Sequence, residues 1–363
     1  MSTVIDTAGY VEVRLDALAR NYYRIQQAAP GAAVGAVVKA DAYGLGAARI
    51  ANYLLGLGCR SFFVATLEEG VALREAISAS EAATVIYVFE GLRSGKARIY
   101  VDCALRPVLN TVEQVAAWLE IGEPGAIQVD TGMGRLGVSA SELNELLADD
   151  VAVQRLNLRH VLTHLACADD PPSPFNARQR EAFSALQARL GDVEVSIANT
   201  AGAFLGPSFR ADLVRAGIGL YGGNPFAADA NPMDPVATLF ARVLQVRELD
   251  TSARIGYGAT YLAPAGSRIA TVGVGYADGY PRVLGNTAHA FFDGFILPVV
   301  GRVSMDLTCV DVTALDRGAM KVGDYVEMFG AHVSVDEVAA LSGTISYEIL
   351  TGLNARLPRI YLE

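Results

Sequence analysis

The sequence predicts a (β/α)8 barrel at the N-terminal side followed by a mostly antiparallel β domain. Three observations lead there. From Leu15 to about Arg215, short and almost continuous apolar runs alternate with longer helical stretches. That is the pattern of a parallel sheet covered on both faces. Eight such runs fit within roughly 200 residues, which suits a closed barrel better than an open sheet. After Pro225 the chain turns to β-type segments, and Asn224-Pro225, Asn231-Pro232 and Asp234-Pro235 punctuate the passage.

The barrel is expected over residues 1–230 and the β domain over 231–363. Its eight strands are predicted at 35–39, 62–65, 84–88, 106–109, 126–129, 157–163, 194–197 and 212–215, with helices such as 111–121, 141–148 and 177–190 between them. Strands of the second domain are predicted at 239–246, 268–274, 289–292, 296–300, 307–312 and 325–328. Asp293-Gly294 and Gly301-Arg302 supply turns between some of them.

Composition bounds the partners. Of the 363 residues, 52% are hydrophobic and 19% charged, ample for a large core. No run approaches the ~18 consecutive apolar residues of a membrane span. The segment from Met1 to Val11 lacks the basic and apolar regions of a signal peptide, so a cytoplasmic location is expected. A net charge of −10 argues against nucleic acid or an anionic membrane as partner. Four scattered cysteines and four histidines give no metal spacing; the thiols are expected to be buried and free.

In such barrels the functional groups gather at the C-terminal ends of the strands. Read in order, those ends carry Lys39, Arg135, His164, Asn199-Thr200, and Arg215 with Gly217-Ile218. Lys39 closes an apolar strand, and burial there would lower its pKa. A lysine of that kind forms Schiff bases with carbonyl cofactors such as pyridoxal phosphate. Asn199-Thr200 and the turn from Ala216 to Gly219 fall where the last two strands end, a place where backbone N–H groups hold phosphate. Together these groups suit an anionic, aromatic, carbonyl-bearing ligand.

Long ordered motifs then connect the chain to a family. Val37-Val38-Lys39-Ala40-Asp41-Ala42-Tyr43-Gly44, Asp130-Thr131-Gly132-Met133-Gly134-Arg135, Thr163-His164 and Arg215-Ala216-Gly217-Ile218-Gly219 lie in the first part. Gly256-Tyr257-Gly258, Gly275-Tyr276-Ala277-Asp278, Ser304-Met305-Asp306, Ser346-Tyr347-Glu348 and Pro358-Arg359-Ile360-Tyr361 lie in the second. The chain resembles the bacterial alanine racemases over essentially its full length. The resemblance implies bound pyridoxal phosphate and a head-to-tail homodimer with composite sites. It implies that Lys39 carries the cofactor. Tyr43, Tyr347, Asn199, Thr200 and the backbone at Gly217 and Ile218 would surround the phosphate, with Arg215 facing the pyridine nitrogen and His164 near the ring. Tyr257 from the partner would be the second acid–base group beside Lys39. Arg135, with Met305, Tyr276 and Asp306 of the partner's second domain, would bind the substrate. D-alanine for peptidoglycan is the expected product.

Two positions depart from the family pattern. Gln128 stands where many members carry a carbamylated lysine that supports the substrate-binding arginine; its side-chain carbonyl is expected to accept a hydrogen bond from Arg135. Ser196 stands where many place a histidine beside Arg215. The main rival is a racemase of the same fold acting on serine or several small amino acids, since a small pocket rejects one extra hydroxyl weakly. A decarboxylase of basic amino acids on the same fold, and a non-catalytic cofactor carrier, fit the second half of the sequence less well.

Overall fold

The computed structural model describes residues 6–77, 84–148, 155–189 and 192–363. The chain divides into two compact units. One comprises residues 19–220 with 224–233; the other comprises 1–18, 221–223 and 234–363. The first described strand, β1 (Gly9–Arg14), belongs to the second of these, and the barrel follows it.

The barrel strands are β2 (Ala33–Val37), β3 (Ser61–Val64), β4 (Val85–Val88), β5 (Leu105–Leu109), β6 (Gly125–Gln128), β7 (Leu158–Leu162), β8 (Glu194–Ser196) and β9 (Leu213–Ala216). All pair in parallel: each of β2 to β7 with its successor, and β9 with β2. Between β8 and β9 the Asp212 amide donates to the Val195 carbonyl at 3.0 Å, and Asn199 bridges Arg215, so the barrel is nearly closed. Every residue of β6 and β9 is buried, as expected of strands covered on both faces. All eight expected strands are present, each end within two residues of its predicted place.

Side-chain caps start the helices where the sequence offers them. Thr66 and Glu69 form a capping box on helix Leu67–Ala76, Ser139 and Glu142 form another on Ala140–Leu147, and Thr111 caps Val112–Leu119. The third expected helix spans Pro174–Gln187; residue 190, its predicted end, lies outside the described residues.

The second unit is an eight-stranded sheet with a small hairpin. Its further strands are β10 (Ala237–Glu248), β11 (Ala253–Ile255), β12 (Tyr261–Ala263), β13 (Arg268–Val272), β14 (His289–Phe292), β15 (Phe295–Pro298), β16 (Thr308–Asp311), β17 (Tyr325–Phe329) and β18 (Arg359–Leu362). The main path runs β15-β14-β17-β10-β1-β18, with β13 joining β10 and β16 joining β13. Only the β1–β18 pair is parallel. The expected boundary at residue 230 did not foresee that β1 lies between β10 and β18, with Val11 opposite Leu239 and Val13 beside Tyr361. Alternate residues of β1 are buried, with half-buried Tyr10 and Glu12 and exposed Arg14 between and after them, which suits an open antiparallel sheet and not a barrel strand. The thiols also differ from expectation. All four are free, but only Cys59 is buried, while Cys103, Cys167 and Cys309 are half-buried. Among the described residues no helix is long and apolar enough to cross a membrane.

Candidate active site

Strand β2 ends at Val37, two residues short of the lysine, and Val38 N–H donates to the Phe63 carbonyl at 2.9 Å. Lys39 then opens a turn in which Ala40, Asp41, Ala42 and Tyr43 all have φ between 52° and 56°. Left-handed backbone costs non-glycine residues about 1–2 kcal/mol each, so the surroundings must enforce it. Three contacts do so. Glu69 accepts the Ala40 amide at 2.7 Å, the Asp41 carboxylate accepts the Ala47 amide at 2.7 Å, and the Asp41 carbonyl accepts the Gly46 amide at 2.9 Å. Burial, and next the charge of Arg135, hold the Lys39 pKa below that of an ordinary lysine, against an opposing pull from Glu69. The Lys39 Nζ stands 5.9 Å from the Phe89 ring centre.

Arg215 projects from β9 and is 2% exposed. Its guanidinium donates to Ser196 Oγ and to the Thr163 carbonyl, and its Nη2 lies 3.3 Å from His164 Nδ1. Ser196 passes the chain on, its hydroxyl donating to the Leu213 carbonyl at 2.6 Å. All these partners are neutral, and among the described residues no carboxylate pairs with Arg215. Burial lowers its pKa to about 9. The pKa of His164 falls to about 3, first through burial and then through Arg215, Arg135 and Lys39. His164 thus feels the charge of all three cations, while Lys39 feels Arg135 and, opposing it, Glu69.

Beside them lies a cradle of small groups. Asn199 caps the turn Thr200–Phe204 through the Gly202 amide, and Thr200 Oγ1 accepts the Gly217 amide, both at 2.9 Å. A Cβ on Gly217 would sit 2.5 Å from the Tyr43 hydroxyl, so only glycine admits that ring. Ile218 opens a 3₁₀ turn and is buried, yet its N–H has no acceptor among the described residues. A buried, unpaired amide is costly unless something occupies it.

Arg135 sits on the loop after β6 and is exposed. Asp130 organises this loop by accepting the amides of Gly132 and Gly134 at 2.9 Å and 3.0 Å. Gln128 does not take the expected role. Its Nε2 donates to the Leu136 carbonyl at 2.8 Å, and no hydrogen bond joins it to Arg135 among the described residues. The loop bends back, with Val138 donating to the Gln128 main-chain carbonyl at 2.9 Å. The amide side chain therefore reaches the main chain beside Arg135 instead of its guanidinium.

The second unit carries the other expected groups, described by themselves. Tyr257 is 70% exposed, in a short 3₁₀ turn between β11 and β12. Tyr276, Met305 and Tyr347 are exposed as well. The Met305 carbonyl accepts the Ala277 amide at 2.9 Å, whereas among the described residues the Met305 amide has no acceptor. Asp306 is not an open carboxylate, because Arg356 holds it at 2.8 Å.

Comparison with known proteins decides the family. The model of the alanine racemase N-terminal domain matches residues 13–225, and that of the C-terminal domain matches residues 236–361. This chain belongs to the alanine racemase family. An alanine racemase of Rhodospirillum rubrum is 47% identical over 356 residues, covering 96% of this chain and 94% of that protein. A catabolic alanine racemase of Agrobacterium fabrum is 41% identical, covering 98% and 92%. Among solved structures, the alanine racemase of Bartonella henselae with covalently bound pyridoxal phosphate aligns with a TM-score of 0.91 at 36% identity, covering 98% of this chain and all of that one. Membership makes the chain an isomerase acting on alanine with pyridoxal phosphate.

The residues present fit that cofactor. The cofactor carries an aldehyde, a pyridine nitrogen and a phosphate, which match an amine, a hydrogen-bond donor and main-chain amides. Lys39, the carboxylate-free Arg215 and the unpaired Ile218 amide beside Gly217 offer these in one barrel mouth. Motif reading missed Glu69 and Arg356, and it included Asp278 without giving it a role. Glu69 reads in sequence as an ordinary helix cap, and the contacts of Arg356 reach residues 50 and 78 positions away.

Proposed function

We propose that the chain racemises alanine with two bases in a cytoplasmic homodimer, Lys39 serving one face of the substrate and Tyr257 from a second copy serving the other. Inverting a carbon requires a proton to leave one face and return to the opposite one, so two groups are needed. Pyridoxal phosphate supplies the electron-withdrawing ring that stabilises charge at the α-carbon. The observation that carries the reading is the Lys39 amine, lowered in pKa and acting on His164 together with Arg135 and Arg215. Lowering makes the neutral, proton-accepting form more accessible than in an ordinary lysine.

In this reading Tyr43, Asn199, Thr200, Gly217, Ile218 and Tyr347 surround the phosphate. Arg215 donates to the ring nitrogen while keeping its own proton, and His164 steadies the guanidinium from the side. Arg135 binds the substrate carboxylate together with the Met305 amide of the second copy, and Tyr276 and Asp306 line that approach. The barrel thus supplies one base, and the domain from residue 231 supplies Tyr257 and Met305 to its partner. The D-alanine produced feeds peptidoglycan. The deciding experiment mixes inactive Lys39→Ala and Tyr257→Phe chains under conditions that allow subunit exchange. Return of activity, up to about a quarter of wild type for statistical hybrids carrying one intact site, supports the composite site; silence in a mixture shown to contain hybrids refutes it. A strain lacking its other racemases should need external D-alanine when this chain is removed, unless its role is catabolic.

A further inference from the structure

We propose that Arg356 is a positioning residue for substrate binding: by gripping Asp278 and Asp306 together it holds the Tyr276 turn and the Met305 segment in one arrangement. The proposal rests on the reading that Met305 helps bind the substrate carboxylate. Arg356 makes a fork on Asp278, Nε to Oδ1 at 2.5 Å and Nη2 to Oδ2 at 2.9 Å, and the same Nη2 reaches Asp306 Oδ1 at 2.8 Å. A planar guanidinium can hold two carboxylates at fixed angles, which an ammonium cannot.

The three chain segments meet at main-chain level. The Asp278 carboxylate also accepts the Gly275 amide at 2.8 Å, closing the turn that carries Tyr276. Tyr276 and Ala277 donate their amides to the carbonyls of Ser304 and Met305, at 3.0 Å and 2.9 Å. A side chain on Gly275 would collide with those same two carbonyls, so the backbones touch. Asn354 donates to the Asp278 carbonyl at 3.1 Å, and its own side chain accepts the Arg356 amide at 3.0 Å, which sets the arginine beside the turn. Within this knot the Met305 amide is left without an acceptor among the described residues.

The two ion pairs do different work. The Asp278 side chain is 5% exposed and that of Asp306 57%. Breaking the buried pair would strand a charge and damage the fold. An exposed pair contributes little to stability, so loss of the Asp306 contact should be felt in the placing of Met305 and not in melting.

The test uses the holoenzyme dimer with Asp306→Ala, Asp306→Asn and Arg356→Lys. Asp306→Ala should raise KM for alanine about ten-fold, the size of one charge-assisted hydrogen bond. The inhibition constant of propionate, the substrate without its amine, should rise in step. kcat should stay within about two-fold, since binding common to ground and transition states is what is lost. Asp306→Asn should recover part of the effect, and Arg356→Lys should match or exceed it. Unchanged KM and propionate inhibition in Asp306→Ala, or a fall in kcat alone, overturns the proposal; should Arg356→Lys fail to fold, the Asp306 pair still decides.

Hybrid dimers separate this proposal from the reading beneath it. In the Lys39→Ala and Tyr257→Phe hybrid, the working site draws its second-domain groups from the Lys39→Ala chain. Placing Asp306→Ala on that chain should raise KM, and placing it on the Tyr257→Phe chain should not. The reverse pattern keeps the positioning role but places Met305 in its own chain's site. No effect from either placement removes the role and leaves the composite site standing. Inactive hybrids refute the composite site, and KM in the Asp306→Ala homodimer then decides the role of Arg356.

Discussion

Arg215 presents its Nη2 to Nδ1 of His164 at 3.3 Å, and because a guanidinium only donates, that ring nitrogen accepts. The histidine proton therefore resides on Nε2. A neutral imidazole here is enforced by burial and by three neighbouring cations, which together press its pKa to about 3. The unfolded chain has no such penalty, and its histidines titrate near ~6.5.

The sign of the resulting pH dependence follows. Between the unfolded value of ~6.5 and the folded value of about 3, the unfolded state binds more protons, so stability held above ~6.5 is lost as pH falls through this window. His164→Gln should flatten that loss by up to one proton, about 1.36 kcal/mol per pH unit at most. Urea unfolding of the apoprotein across the window measures it. Identical slopes for variant and wild type would assign the acid sensitivity elsewhere, His160 being the other histidine whose pKa burial lowers.

Tyr257→Phe should leave the cofactor absorbance intact and abolish proton exchange mainly for one enantiomer. The motivation is that its hydroxyl is the second base in the proposed reaction. Deuterium wash-in from L- and D-alanine in single turnovers separates the two faces. Equal losses for both enantiomers would contradict the assignment of one base to each face.

Gln128→Leu should loosen the loop that carries Arg135, because it removes the bond from Nε2 to the Leu136 carbonyl. A neutral hydrogen bond contributes ~1 kcal/mol, so KM for alanine should rise about five-fold. The wild-type enzyme should show no dependence on bicarbonate after decarbonation, since an amide forms no carbamate. Recovery of activity on adding bicarbonate would mean that a lysine elsewhere takes that role.

Glu69→Ala should weaken the left-handed turn after Lys39. The carboxylate accepts the Ala40 amide on one oxygen and the Ala65 amide on the other, both at 2.7 Å, while capping its own helix. Loss of a charged acceptor costs about 1.5–3 kcal/mol, and the favourable field of Glu69 on Lys39 goes with it. The expected outcome is a lower melting temperature together with a lysine that loses its proton at lower pH. The latter is read from the reactivity of the apoenzyme amine toward an acylating reagent. An unchanged reactivity profile would limit Glu69 to capping.

The barrel was legible because its strands announce themselves as buried apolar runs, and the candidate site's cluster because its charged groups stand where those runs end. Lys39, His164 and Arg215 could be placed from that rule alone. What stayed hidden is non-local or conformational. No propensity rule predicts four non-glycine residues at positive φ, so the strand was carried through Lys39 when it stops at Val37. Gln128 was assigned the partner of the lysine it replaces, but a side chain ending in an amide found the nearer main-chain carbonyl. β1 was missed because its partners lie on the far side of the barrel sequence, where no local pattern shows them.

That interleaving has a consequence for biosynthesis. In order of synthesis β1 precedes the barrel, so it waits for the barrel to be made before β10 appears and longer still before β18 does. The barrel strands all pair with neighbours that follow soon after or lie within their own stretch, so this unit can condense while translation continues. Until β10 is made, the nascent chain therefore carries β1 without its sheet neighbours, and one edge of β1 stays open until β18 follows. A peptide matching 359–362 and its flanks, supplied to a chain truncated before β18, should restore the parallel partner of β1 in trans.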